Sequence, residues 1–279
     1  MTVALAITVD VDGEAGLPDG GRGYEQRLSS RSERLYGLRR GLPRVLEVLA
    51  ESGATATFFF PGVTAQRHPG EPRAIAAAGH EIGHHGHAHR RLDEMSAGEQ
   101  AADLDDGVAA LAAATGVVPR GYRAPAWELT PLTLRLLGER GFAYDSSLMG
   151  DDRPYLVRAG PRELVELPVH WSLDDAPHFA ATTDPSGLVR VWCDELALAV
   201  REHRPITFTL HPDILGRPHR IDVLRRLLDA ARALACPAIT LGAIASSQLG
   251  EQGGGIDPQR AGEPHDRGEP RIADAALEP

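Results

Sequence analysis

Cysteine is scarce in this chain: only Cys193 and Cys236 occur among 279 residues, far apart and in no metal-like spacing. That argues against a disulfide framework and a cysteine-ligated zinc module, and leaves both thiols as reduced packing residues. Positive charge is also in deficit. Lys and Arg number 29 against 39 Asp and Glu, a net charge of −10, and no basic run is long enough to follow a phosphate backbone, so nucleic acid is not an expected partner. Long apolar runs are missing as well. The opening stretch MTVALAITVDVD has neither a charged leader nor a cleavage site and passes straight into a strand-like pattern. It reads as neither a signal peptide nor a membrane span, and a cytoplasmic location is expected.

What is present is a regular alternation. Apolar runs rich in β-branched residues recur at 3–11, 54–60, 80–84, 116–123, 142–147, 163–169, 206–211 and 238–241, and read as strands. Amphipathic stretches at 42–53, 99–116, 130–141 and 220–234 fall between them, several opening on Thr or Pro and closing at Gly, as helix punctuation requires. This order implies an α/β fold with a parallel sheet. Seven or eight parallel strands in a chain of this length are most economically closed into a single-domain (β/α) barrel, with an open doubly wound sheet as the alternative. Residues 1–247 are read as that barrel, with 13–41 as a polar insertion that is either functional or an arm for another subunit. Residues 248–279, rich in Gly, Pro and charge, are read as a disordered tail.

Five of the twelve histidines crowd into GHEIGHHGHAH, Gly79 to His89. His80-Glu81-Ile82-Gly83-His84 is formally H-E-x-x-H, the helical zinc-protease signature, while His85 and His89 form a separate pair four apart. Glycines at 79, 83 and 86 disfavour the helix that the first reading needs. If 80–84 is a strand, His85 stands at its C-terminal end and the following loop can return His89 beside it. At the end of the first strand, Asp10 and Asp12 point to the same side of the pleat. Asp12, His85 and His89 then make a three-ligand set with an open position, the pattern of catalytic zinc. Asp10 is left free to take a proton from attacking water. His84 and His87 read as neighbours of this site rather than ligands.

The segments TVDVDGE, TATFFFPG, GHEIGHHGHAHRRL, GYRAPAWELT, YDSSL and FTLHPDILGRPHR follow one another over about residues 3–245 and resemble, in order, the motifs of the polysaccharide deacetylase family. Within it, RLYGLRRGLPRVLEVL, YDSSLMGDDRPY, ELPVHWSLDDAPHF and HPDILGRPHR resemble an intracellular branch of allantoinase-like enzymes, cyclic-imide hydrolases and proteins named peptidoglycan deacetylases. The resemblance implies a distorted (β/α) barrel and a divalent metal, Zn²⁺ first, with Co²⁺, Mn²⁺ or Ni²⁺ accepted by the same donors. It also implies metal ligands at Asp12, His85 and His89, the catalytic base at Asp10, the motif arginine at Arg123, and His211 as general acid. All of these fall at C-terminal ends of predicted strands, where a barrel gathers its site. Trp127, Asp145 and Trp171 are expected near the substrate pocket, with a core-wall or turn role as the plainer reading.

Val11 separates Asp10 from Asp12, whereas the family's usual first motif has adjacent aspartates; the intracellular branch shares the separation. With no leader expected, the expected reaction is metal-dependent hydrolysis of a carbon–nitrogen bond in a small cytosolic amide, imide or ureide. Deacetylation of an N-acetylated polysaccharide or peptidoglycan is the alternative. A non-catalytic metal- or ligand-binding barrel is the alternative of another class, against which the complete site set speaks. The branch also implies a homo-oligomer, a tetramer first, with the 13–41 insertion at the rim of the site.

Overall fold

The computed structural model describes residues 3–16 and 26–253. Strand β1 (Leu5–Asp10) is buried at all six positions, as a parallel strand covered on both faces must be. It pairs in parallel with β2 (Thr57–Phe60) and with β8 (Ile206–Leu210). Beyond β2 the sheet continues through β3 (Glu81–His84), β4 (Gly121–Tyr122), β5 (Tyr144–Asp145) and β7 (Arg162–Glu166) to β6 (Tyr155–Ala159) at the far edge. Among the described residues seven strands run parallel and β6 alone is antiparallel, in a hairpin with β7. No ladder joins β6 to β8, but the chain after β7 crosses to the other edge, where Asp174 bridges Thr209. The result is the expected distorted (β/α) barrel in one domain.

Helices α2 (Leu42–Ser52), α3 (Gly62–Arg67), α4 (Gly70–Ala77), α5 (Ala97–Thr115), α6 (Pro131–Arg140) and α8 (Pro185–Arg201) lie between strands, and α9 (Asp222–Ala233) follows β8. Before α2 come α1 (Leu28–Tyr36) and a π-helical turn (Gly37–Gly41); α7 (Asp175–Ala181) precedes α8, and α10 (Leu241–Gly253) ends the described chain. The caps follow the sequence signals: Ser96 and Glu99 form a capping box on α5, and Gly53, Gly116 and Gly141 close α2, α5 and α6 in the left-handed conformation.

Several expectations are corrected. The stretch 238–241 supplies a single bridge to Leu5 and then turns into α10, because Leu241 and Gly242 donate their N–H groups to Thr57 and Glu81. The run 116–123 contracts to two strand residues. The hairpin partner β6 and helices α1, α7 and α8 were not expected, and α1 with the π turn makes half of the 13–41 insertion helical. Helix α10 runs to Gly253, past the boundary set at 248; the disorder expected for the rest of the tail lies outside the described residues. Among the described residues no helix is long and apolar enough to cross a membrane.

The alternation of β1 sorts its side chains. Leu5, Ile7 and Val9 join the apolar layer under α2, α8 and α9, while Ala4 and Ala6 face the barrel interior with Phe59, Tyr144 and Val165. Asp10 shares the parity of Ala4, Ala6 and Thr8, so it points into the barrel at its C-terminal mouth.

Candidate metal centre and active site

The same parity rule settles the histidine cluster. On β3, Ile82 packs against the outer layer and Gly83 faces inward, where a Cβ would meet the Phe59 ring at 2.4 Å. His80 and His84 therefore lie on the outer side. His80 Nδ1 accepts the Ala56 N–H, and His84 lies under α5, with Nδ1 accepting the Gly86 N–H and Nε2–H donating to Leu104 O. Glu81 faces inward and caps the N-terminus of α10. The H-E-x-x-H letters thus form a strand whose histidines and glutamate look opposite ways, and no protease site exists there.

His85, on the inner parity, donates its Nδ1–H to the carbonyl of Arg123 at 2.8 Å, which leaves Nε2 as a free lone pair. Gly86 then turns with a φ of +70°, and Asp103 on α5 accepts the N–H groups of His87 and Ala88 at 2.7 and 2.9 Å. His89 itself takes φ +53°, and the loop folds back so that His89 Nε2 lies 3.4 Å from Asp12 Oδ1, with His85 Nε2 at 3.6 Å from the same oxygen.

These three atoms fit a divalent ion. Asp12 Oδ1 is buried and receives no hydrogen bond, an expensive omission unless something else satisfies it. Separations of 3.4 and 3.6 Å are too long for hydrogen bonds, yet they match neighbouring ligands around one ion with bonds of roughly 2.0–2.2 Å. Burial would raise the Asp12 carboxyl, but His89, His211, His85 and Arg34 outweigh it and hold it below the ordinary carboxylate range. Burial presses His89 down to about 4 against the pull of Asp12, so its imidazole is neutral and able to ligate.

Beside this set, Asp10 is fixed from the opposite side. Arg123, fully buried, donates from Nη1 to Asp10 Oδ1 and Thr8 Oγ1 at 2.8 Å each and to Thr209 Oγ1 at 3.2 Å. Its Nε and Nη2 go to Ser146 O and Oγ, both at 3.0 Å, and its carbon end lies 4.4 Å from the Phe59 ring centroid. Asp10 Oδ2 is left facing His85 Nε2 at 3.8 Å.

Across the mouth, His211 ends β8. Asp175 accepts both its backbone N–H, at 3.0 and 3.2 Å, and its Nδ1–H, at 2.7 Å, while Asp174 stands 3.8 Å from Nδ1. Burial would lower His211, but Asp174, Asp175 and Asp12 carry it well above its ordinary value. Asp174, Asp175 and His211 have the spacing of a second ligand group, yet Asp175 is occupied by its hydrogen bonds, and the trio reads as a charged imidazolium held by carboxylates. Nothing in the spacing of SLDD marks Asp174 and Asp175 as partners of His211. Asp103, Thr8, Thr209, Ser146 and Ser147 were likewise missed; only Asp103, an acid amid the apolar positions of α5, left a visible signal.

The three weaker pocket residues separate. Trp127 and Trp171 stack with ring centroids 4.4 Å apart, Trp127 buried and Trp171 45% exposed. Ala126 and Trp127 both adopt a left-handed backbone, φ +55° and +56°, which places the Trp127 ring 5.9 Å from the Arg123 guanidinium carbon. Asp145 is fully buried, accepts from Ser147 Oγ, and stands behind the wall rather than on it.

Residues 36–144 match the family model described as polysaccharide deacetylase. The peptidoglycan deacetylase of Helicobacter pylori is 30% identical over 262 aligned residues, covering 81% of this chain and 89% of that protein. A peptidoglycan deacetylase-like protein of Gibberella zeae is 30% identical over 62% of this chain and 59% of its own. Among solved structures, a polysaccharide-deacetylase-type protein from Mycobacterium smegmatis superposes with a TM-score of 0.83 at 38% identity, covering 90% of this chain and 91% of that one. An allantoinase, at 24% identity and a TM-score of 0.78 over 88% of this chain and 90% of its own, shares the fold. This chain belongs to the polysaccharide deacetylase family, hydrolases acting on carbon–nitrogen bonds.

Proposed function

We propose that the chain is a divalent-metal-dependent hydrolase of a small amide, imide or ureide, with Asp12, His85 and His89 as metal ligands and Asp10, Arg123 and His211 as the acid–base set. The observation that carries it is the buried Asp12 Oδ1 with no hydrogen-bond donor, faced by two imidazole nitrogens at 3.4 and 3.6 Å. The donor set favours Zn²⁺, with Co²⁺, Mn²⁺ and Ni²⁺ as substitutes. The ion would supply a Lewis acid for the substrate carbonyl and lower the pKa of water. Asp10, with Oδ1 tied to Arg123, takes the water proton on Oδ2 as the oxygen adds to the carbonyl carbon. His211, held through Nδ1 by Asp175, gives a proton from Nε2 to the departing nitrogen as the C–N bond breaks.

Support for a small substrate comes from the rim. The π turn packs so tightly on the loop after His211 that a Cβ at Gly37 would lie 2.9 Å from Asp213, and one at Gly41 would lie 1.8 Å from Pro212 O. Arg34 on α1 adds an ion pair to Asp213 at 2.9 Å. A fixed wall beside the proposed acid narrows the entrance against a polymer. The second reading, deacetylation of an N-acetylated glycan, has the names of the bacterial and fungal relatives in its favour.

Metal-replete protein should turn over a cyclic imide or ureide faster than N-acetylated sugars or their oligomers. Efficient turnover of glycan oligomers alone would assign the second reading. No turnover of any of them, with ligand binding unchanged in Asp10→Asn, would leave a binding barrel.

A further inference from the structure

Behind the active-site wall, two acids face each other across the sheet. In the register of β5 and β7, Asp145 is the partner of Glu166, and both side chains are fully buried. Like charges directly opposite on a sheet repel, and two carboxylates in one dry site cannot both ionise. The charge of Arg123 is felt by Asp145, but its N–H groups go to Asp10, Thr8, Thr209 and Ser146, none to this pair.

Three of the groups around the pair have clear partners. Glu166 Oε1 accepts the N–H groups of Ser147 and Leu148 at 3.1 and 2.9 Å, and Asp145 Oδ1 accepts from Ser147 Oγ at 2.9 Å. The other two oxygens, Asp145 Oδ2 and Glu166 Oε2, are buried and have no hydrogen-bond partner. On facing residues, two such orphaned carboxyl oxygens can satisfy each other only when a proton lies between them.

We propose that Asp145 and Glu166 hold one proton between them, and that this acid pair positions Arg123, and through it Asp10, by fixing residues 146–148. This rests on Asp10 being the proton acceptor. The path is short. Ser147 Oγ, donating to Asp145, accepts the N–H of Ala124, next to Arg123. Ser146, one residue from Asp145, offers its carbonyl and hydroxyl oxygens to the guanidinium and donates its hydroxyl to Leu167 O, one residue beyond Glu166. Burial raises both carboxyls, Glu166 the more strongly because the Asp145 charge adds to it. The other titratable groups facing the pair are Arg123 and the phenols of Tyr122 and Tyr155.

The test compares metal-replete wild type with Glu166→Gln, Asp145→Asn and Glu166→Leu. At neutral pH the wild type should show an infrared band of a protonated carboxyl that is lost in Glu166→Gln and in Asp145→Asn, where an amide N–H replaces the shared proton. Both amide variants should keep kcat within about twofold. Glu166→Leu, which cannot hold 147 and 148, should lose kcat on the order of 10²-fold, as expected for a displacement of about 1 Å, with KM and metal content near wild type. A wild type lacking the band, or equal loss in the Gln and Leu variants, overturns the proposal. Should Glu166→Leu not fold, the amide variants decide: band lost with kcat retained supports the shared proton, and kcat lost in both overturns it. Failure of the hydrolase reading looks different, because the wild type then turns over no substrate while the band remains.

Discussion

Asp10 and Asp12 are two residues apart on one face of one strand, yet their partners divide them cleanly. Asp10 is tied to a guanidinium, and Asp12 turns an Oδ1 without a donor toward the Nε2 atoms of two imidazoles. Asp12→Ala should therefore lower metal content, measured by elemental analysis. Asp10→Asn should keep the metal and lose 10²- to 10⁴-fold in rate, the usual worth of a general base. Near-wild-type turnover in Asp10→Asn would move the base elsewhere. His85→Ala and His89→Ala should lose metal and activity together, while His80→Ala, facing Phe58 on the outer side with ring centroids 5.2 Å apart, should keep both. Metal lost on changing His80 and kept on changing His89 would contradict the strand parity on which the site is built.

The Asp145–Glu166 pair also makes a stability prediction with a definite sign. In the unfolded chain these groups titrate near 3.8 and 4.5, whereas burial raises both in the fold. The native state thus keeps a proton that the unfolded chain releases as pH rises. Their contribution is intact below about pH 4 and is progressively lost as pH climbs through the carboxylate range toward the raised native value. Glu166→Gln has no such proton to lose, so its Tm relative to wild type should rise between pH 5 and 9. A parallel pH dependence of the two proteins would mean that the pair is not protonated.

Among the elements, those that announce themselves by punctuation were legible in the sequence. Helices α2, α5, α6 and α9 were expected to within three residues, since apolar spacing marks all four and a terminal glycine closes the first three. The inner face of β1 and the end of β3 were equally readable, and with them Asp10, Asp12, His85 and His89. What could not be read depends on contacts distant in the chain. The stretch 238–241 fails as a strand because Thr57 and Glu81 draw its backbone into a helix start. Asp174 and Asp175 gain a role only when the crossing segment lies beside β8, 36 residues from Asp175 to His211.

One close contact between elements is open to a direct test. Gly41, at φ −67°, needs no special backbone, but its missing Cβ leaves room for Pro212 O, one residue beyond His211. Gly41→Ala should destabilise the fold by about 1–3 kcal/mol through overpacking, read by denaturant melting. It should also lower kcat, because the loop that must yield carries His211. Unchanged stability would mean that the π turn moves freely and is no wall.

At the scale of the molecule, one element remains without enough of its own core. Helix α1 buries none of its nine residues, and Leu28 at its start is 70% exposed. A helix this short is marginal in water unless something packs on it. Within the chain its C-terminal half is tied down by Arg34 on Asp213, Glu33 on Arg217, the Tyr36 hydroxyl on Gly216 O, and Arg217 stacked 3.8 Å over the Tyr36 ring, with Leu35 packed against the core. A second copy of the chain covering its first half would complete it, and would narrow the rim beside His211 further. Sedimentation of wild-type protein should give a homo-oligomer. Leu28→Glu should weaken assembly at least tenfold, about 1.4 kcal/mol, and lower turnover of a small imide or ureide in step with dissociation. A wild type that sediments as a monomer and deacetylates long glycan oligomers efficiently would leave α1 as an open bank of a polymer groove, and the small-substrate reading would fall with the oligomer.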